Sequence, residues 1–469
     1  MKISFHGAAR TVTGSKHIIH VHPDKQILLD CGMFQGMGKD TATLNSTWGF
    51  DPAAISYVII SHAHIDHIGL LPKLVKDGYK GKIFCTPATA SLAKILLIDS
   101  ARIQEEDIRY VNKVRSKENQ PLYEPLYNED DAAKVFPLFE TIPYNEHYKI
   151  EPGIDLFYTD CGHILGSAAV NLIIKEDGKE TRITFSGDVG SYHDMILRKP
   201  QPFPQADYVI IESTYGNRLH DVSTASAEKL LNFILETCYK KRGKLIIPAF
   251  SMGRTQDVLF MLNHLELDKR LPDLDYYVDS PLSIKITDTV KKYPDYYNAD
   301  VKQLLTKDDD VFSFKGLKYI DKVADSIKLN DIKEPCVIIS ASGMAEAGRV
   351  KHHIANNISD GRNTILFTGY CEPMSLGGRL KRHPDHVSIF GKDFPVKAEI
   401  AEMTTLSAHG DYNDLTQWLS CQDISKVKTL FLVHGDYDVQ QEFRDRLIKK
   451  GFKDVEIPAR HQTFGLGGD

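Results

Sequence analysis

Ser61-His62-Ala63-His64-Ile65-Asp66-His67 places three histidines and an aspartate within six residues. Neutral imidazole and carboxylate are ligands for zinc and similar divalent ions. His62 and His64 are two apart and can point to one side of a turn. Asp66 and His67 lie further round and can point to another, so the spacing suits two metal ions better than one. Single candidates of the same type recur downstream: His163 in Asp160-Cys161-Gly162-His163, Asp188 in Ser186-Gly187-Asp188, His409, and His434 in His434-Gly435-Asp436. Asp30 and Glu212 are further carboxylates, each closing an apolar run.

The elements that must position these residues can be read from the same chain. Tyr57-Val58-Ile59-Ile60 reads as a buried strand ending at the histidine cluster, and a helix over Leu70 to Lys76 follows. Strands over Leu156 to Thr159, Ile183 to Phe185 and Lys428 to Val433 lead into His163, Asp188 and His434. From Asp207 the pattern changes to regular alternation of strand and helix, which implies a parallel sheet covered by helices. Its strand-to-helix turns, among them Pro248 to Arg254, Asp279-Ser280-Pro281 and Ser340 to Met344, are rich in small residues and can offer N–H groups to phosphate. From about Val396 the earlier style returns. Ala88 to Lys117 is a long helical stretch whose later part is strongly and evenly charged, and it reads as a solvated face.

Composition narrows the class. The chain has 469 residues, 42% hydrophobic and 26% charged, as expected for a globular enzyme of two or three domains. No apolar stretch reaches the length of a membrane span. The first residues do not read as a signal peptide. Seven scattered cysteines include no Cys-x-x-Cys pair, so neither a disulfide framework nor a thiolate zinc site is expected. The expectation is a cytoplasmic, reduced protein without a membrane. A net charge of −6 argues against bulk electrostatic binding of nucleic acid, but not against a local basic groove.

Taken in order, Asp30, His62 to His67, His163 and Asp188 resemble the four motifs of the metallo-β-lactamase fold. Glu212, His409 and His434 resemble the three added motifs of its β-CASP branch, the nucleic-acid-processing hydrolases. That branch includes ribonuclease J, the endonuclease subunit of the cleavage and polyadenylation machinery, and compact bacterial and archaeal relatives. The resemblance covers nearly the whole chain. It implies an α/β fold: an αββα sandwich from residues 1–206 and 392–469, with a β-CASP domain over 207–391 inserted as a cap and the active site in the cleft.

It implies one zinc on His62, His64 and His163, another on Asp66, His67 and His434, and Asp188 between them; manganese can occupy similar sites. Asp30 would orient ligands through His62 or the bridging solvent. His409, held by Glu212, would be the general acid, and Asp66 counts with the catalytic residues as well as the ligands. Arg254, Ser342, Gly343, Arg349 and Arg379 are the candidates for substrate contact. The implied activity is two-metal hydrolysis of single-stranded RNA, endonucleolytic, in RNA processing or decay, with a homodimer left open. The alternatives are an exonuclease or DNA nuclease of the same family, a small-molecule metallohydrolase, and a non-catalytic RNA-binding scaffold.

Overall fold

The computed structural model describes residues 1–176, 178–220, 226–403 and 407–467. The chain forms two compact units. One comprises Met1–Asp194, Lys199–Leu219 and His409–Asp469; the other comprises Met195–Arg198 and His220–Ala408.

The first unit is built on two seven-stranded sheets. In one, Lys2–Gly7, Lys16–His22 and Lys25–Leu29 run antiparallel. Tyr57–Ile59, Ile83–Cys85 and Phe139–Thr141 then add in parallel. In the other, an antiparallel meander from His147 to Phe185 is extended in parallel by Tyr208–Glu212, Thr429–Val433 and Val455–Glu456. Ile3, Phe5, Ile19 and Leu29 of the first sheet share a buried cluster with Leu156, Val170, Phe185 and Phe431 of the second, so the sheets pack face to face. On the far side of the second sheet, Val209, Ile211, Leu430 and Leu432 pack on Leu415, Trp418, Phe443 and Leu447 of two helices. Helix Pro87–Lys117 starts with Thr86 accepting a bond from the Thr89 N–H, and Pro87 sits in its first turn, where a missing N–H costs nothing. It buries Ala88, Leu92, Leu96 and Leu97. The strands are apolar on both faces because helices cover what the opposing sheet does not: this is the αββα arrangement.

The second unit carries a six-stranded parallel sheet in the order Leu317–Tyr319, Asp275–Val278, Cys336–Ser340, Leu245–Pro248, Thr364–Phe367, Glu399–Glu402. Two strands fall on the other side of the expected domain edges. Tyr208–Glu212, read as the start of the inserted part, lies between Lys179–Phe185 and Thr429–Val433. Glu399–Glu402, read with the last part, pairs with Thr364–Phe367. The division therefore lies near residues 219 and 409 rather than 207 and 391. Both are short runs between larger elements, and composition does not say which sheet a short strand joins. Of the run following Glu399–Glu402, Thr404, Thr405 and Leu406 lie outside the described residues. No helix among the described residues is long and apolar enough to cross a membrane.

Candidate metal centre

The histidine turn follows Tyr57–Ile59 and leads into a one-turn helix, Ile65–Ile68. Its backbone is stapled to the opening strands. Asp66, His67 and Ile65 carbonyls accept from the N–H groups of Ser15 (2.8 Å), Cys31 (2.8 Å) and Met33 (3.0 Å). Gly32 passes so close that a Cβ there would sit 1.6 Å from the Asp66 carbonyl oxygen, so only glycine fits. Lys16 is fully buried and clamps the same loops, its Nζ donating to the carbonyls of Gly14 (3.0 Å) and Gly32 (2.6 Å). Burial pulls its pKa down to about 7.

Two donor sets converge. His62 Nε2 and His163 Nε2 lie 3.1 and 3.2 Å from His64 Nδ1. Both also lie close to Asp188 Oδ2, at 3.4 and 3.5 Å. His67 Nε2 is 3.2 Å from His434 Nε2, 3.8 Å from Asp66 Oδ2 and 3.4 Å from the same Asp188 oxygen. Donors placed tetrahedrally at about 2.1 Å from one centre are about 3.4 Å apart, so both sets have the spacing of a first coordination sphere. Asp188 Oδ2 lies at such distances from histidines of both sets, and its carboxylate also groups with Glu212 and His434.

Ring tautomers point the same way. His67 donates from Nδ1 to Asp30 Oδ2 at 2.7 Å. Asp30 also accepts from the Ser61 N–H (2.8 Å) and hydroxyl (2.9 Å). The Ser61 oxygen is then free to accept from His62 Nδ1, at 3.0 Å. Thr214 donates its hydroxyl to the His434 carbonyl and accepts from His434 Nδ1, both at 3.0 Å. In His62, His67 and His434 alike, the Nδ1 proton is spoken for and the Nε2 lone pair faces inward, which is how metal-ligating histidines are held. Asp30 thus acts on His67 directly, and on His62 only through Ser61. Replacing Asp30 with alanine is expected to lower metal affinity about 10–100-fold, read by competition with a chromogenic chelator.

Electrostatics ask for cations. Burial first keeps His62 and His64 neutral, their pKa values depressed to about 3 and about 4, and depresses His163 as well. Burial also opposes charge on His67, but Asp188, Asp30 and Asp66 outweigh it and push its pKa up. The proton they attract is what a metal ion would displace.

Glu212 and His409 sit beside these sets. Glu212 is fully buried. Its Oε1 accepts from the Val189 N–H at 2.7 Å and its Oε2 from the Thr214 N–H at 3.3 Å. His409 Nδ1 donates to the two oxygens at 3.1 and 3.2 Å and lies 3.9 Å from Asp188 Oδ2. Gly410 donates to the Val189 carbonyl at 2.7 Å, which fixes the histidine beside Asp188. Burial lowers the His409 pKa, and Glu212 and then Asp188 more than reverse this, to about 9.

Comparison with known proteins agrees with this geometry. Three family profiles match in succession: the metallo-beta-lactamase superfamily over residues 17–146, the Beta-Casp domain over 255–380, and the Zn-dependent metallo-hydrolase RNA specificity domain over 393–458. The chain is 31% identical over 437 residues to Ribonuclease TTHA0252 of Thermus thermophilus, covering 93% of each protein. The chain belongs to the β-CASP family of metallo-β-lactamase nucleases. Other β-CASP relatives are Transcription termination factor FttA of Methanosarcina mazei, 30% identical over 91% of this chain and 66% of its own length, and Endoribonuclease YSH1 of Yarrowia lipolytica. The latter is 27% identical over 98% of this chain and 53% of its own length. This β-CASP protein is therefore a hydrolase of the nuclease type.

The substrate candidates of this β-CASP chain all lie in the second unit. Arg254 is buried and paired with Asp257 at 2.9 Å. Arg349 donates to buried Asp279 (2.7 Å) and to the carbonyls of Ile320 (3.0 Å) and Asp321 (2.6 Å). Asp279 also binds His353 Nε2 at 2.6 Å and the Ser326 hydroxyl at 2.5 Å. Ser342 Oγ donates to the Ala347 carbonyl at 3.4 Å, Gly343 lies against the Phe250 ring, and Arg379 donates to the Ser388 carbonyl at 3.4 Å. Arg349 is thus committed to closing strand Asp275–Val278 onto helix Arg349–Asn357. Arg349→Ala is expected to cost about 3 kcal/mol by leaving Asp279 short of a counter-charge, read as lost hydrogen-exchange protection in those two elements.

Sequence reading missed the tautomer-setting Ser61 and Thr214, the clamp Lys16, and two arginine–tyrosine stacks in the first unit. Arg10 lies 4.6 Å over the Tyr437 ring, and Arg218 lies 4.4 Å over Tyr215, whose ring is 6.0 Å from that of His409. Ser61 and Thr214 adjoin motif residues and were findable. Arg10 and Tyr437 are 427 residues apart and carry no joint signal.

Proposed function

We propose that this chain is a zinc-dependent ribonuclease that hydrolyses phosphodiester bonds of single-stranded RNA with two metal ions, cutting internally. One observation carries the reading: a paired donor set sharing Asp188, with the Glu212–His409 pair 3.9 Å from that shared carboxylate. Metal ions on the two sets would supply Lewis acidity toward phosphate and an activated water. The chain's own residues supply the rest. Asp30, Ser61 and Thr214 hold the imidazoles in one tautomer. Glu212 keeps the His409 Nδ1 proton in place, and His409 Nε2 is the atom that delivers a proton to the departing ribose 3′ oxygen. Arg218, close after Glu212, and Arg10, stacked on Tyr437 close after His434, are both exposed and suited to phosphate and base contacts through charge and their aromatic partners. A thioester hydrolase, whose thiolate leaves without a proton, has no need for such a donor.

The test is a zinc-loaded assay on 5′-labelled single-stranded RNA, with a chelated control and a lactam and a thioester in parallel. Internal fragments that vanish with chelator are expected. Only labelled mononucleotide would replace the internal cutting by 5′ exonuclease action. Turnover of the lactam or thioester without RNA cleavage would overturn the proposal.

A further inference from the structure

Helix Pro87–Lys117 has two halves. Up to Ala101 it is anchored by nine buried residues, and beyond Ala101 it buries none. Arg102 makes a last tie, to Glu129 at 2.8 and 2.9 Å. On the distal half one face is covered by the returning chain: Asn112 bonds both the N–H and the carbonyl of Tyr123, each at 2.9 Å, and Arg115 donates to the Pro121 carbonyl at 2.6 Å. The opposite face is open and apolar. Ile103, Tyr110 and Val114 follow at helical spacing with Val111 at their edge, and they are 46, 74, 49 and 39% exposed. Such a stripe is otherwise the mark of a helix packed on a neighbour.

Charge beside this face is segregated. Glu106 and Asp107 flank its start, and Lys113 and Lys117 flank the turns after it. Among the described residues, no ion pair within 4.0 Å engages Glu106, Asp107, Lys113 or Lys117. Acid at one end and base at the other is self-complementary in an antiparallel pair and self-repelling in a parallel one. A two-fold axis near Tyr110 sets Glu106 of one copy beside Lys113 of the other, on the same flank of the stripe, and brings Ile103 toward Val114. Every contact then occurs twice.

We infer that two copies of this chain associate through antiparallel pairing of the Ile103–Lys117 half-helices, with the apolar stripe as the seam. The contact length is about 22 Å. A buried area on the order of 1,000 Å² in total follows, at the small end for specific association, so the dimer is reversible and micromolar.

Sedimentation of the full chain from about 1 to about 100 μM is expected to show a monomer–dimer equilibrium within that range. The double variant Tyr110→Glu/Val114→Glu should sediment as a monomer throughout, with unchanged circular dichroism and unchanged nuclease activity per chain. Glu106→Lys and Lys113→Glu should each weaken the dimer at least about tenfold, and the two together should restore it. A wild type that stays monomeric at about 100 μM, or a dimer that the double Glu variant leaves intact, overturns the inference. A charge swap that fails to restore association overturns the antiparallel register.

Discussion

His409→Ala is expected to lower kcat on RNA by about 10²–10⁴-fold, with KM and metal content close to wild type. The residue has no place in either donor set; its Nδ1 is committed to Glu212. What it can add is a proton from Nε2, and a ribose alkoxide is a poor leaving group without one. An interaction made only in the transition state appears in kcat and not in KM. The loss should therefore shrink on a p-nitrophenyl phosphodiester, whose leaving group departs as an anion. Equal losses on both substrates would remove the general-acid role.

The pH profile gives an independent reading of the same residue. Glu212 and Asp188 raise the pKa of His409 against the depressing effect of burial, to about 9. The acid form is present below that value and is lost as pH rises through it. Activity should fall on an alkaline limb at or below about pH 9, since metal ions bound at Asp188 would act against a positive imidazole. Glu212→Gln removes the main raising charge, so the limb should move to lower pH with metal content retained. A limb that stays in place in Glu212→Gln would assign the alkaline loss to another group.

The cluster His62 to His67 was legible because four ligand types stand within six residues after an apolar run. His163, Asp188 and His434 were legible more weakly, each as one ligand-type residue at a strand end. What ties the sets together was not. Asp30 fixes His67 by a direct bond and reaches His62 only through Ser61, and no spacing encodes which ring nitrogen meets which oxygen. Arg349 carries a charge and opens a helix after a small-residue turn, so it reads as a phosphate contact; buried Asp279 already holds it. The parallel sheet of the second unit followed from the change of periodicity near Asp207, and the αββα sandwich from the motif resemblance. The edges did not, because Tyr208–Glu212 and Glu399–Glu402 are short strands whose residues do not say which sheet they join. The distal half of Pro87–Lys117 reads as evenly solvated when its charges are summed. Its open apolar stripe emerges only once Asn112 and Arg115 show which face the returning chain covers.

Asp188→Ala is expected to abolish activity, by at least about 10³-fold, and to reduce bound zinc from two ions per chain to less than one. The same Oδ2 stands 3.4 Å from His62 Nε2, 3.5 Å from His163 Nε2 and 3.4 Å from His67 Nε2. Its removal leaves three histidines on one side and Asp66, His67 and His434 on the other, each set one anionic donor short. With metal ions on both sets, it would also remove the negative charge between them, so the second ion should be lost more completely than the first. Asp188→Asn separates charge from shape: it keeps an oxygen in place and drops the charge, and should lose the second ion with little change in packing. Thermal unfolding supplies a readout apart from catalysis. At about 100-fold excess over its dissociation constant a ligand adds about 2.7 kcal/mol to stability, so zinc should raise the wild-type Tm clearly and the Asp188→Ala Tm much less. Elemental analysis showing two zinc ions on Asp188→Ala would sink the shared-carboxylate arrangement. Retained RNA cleavage by a zinc-free variant would sink the metal-dependent mechanism with it.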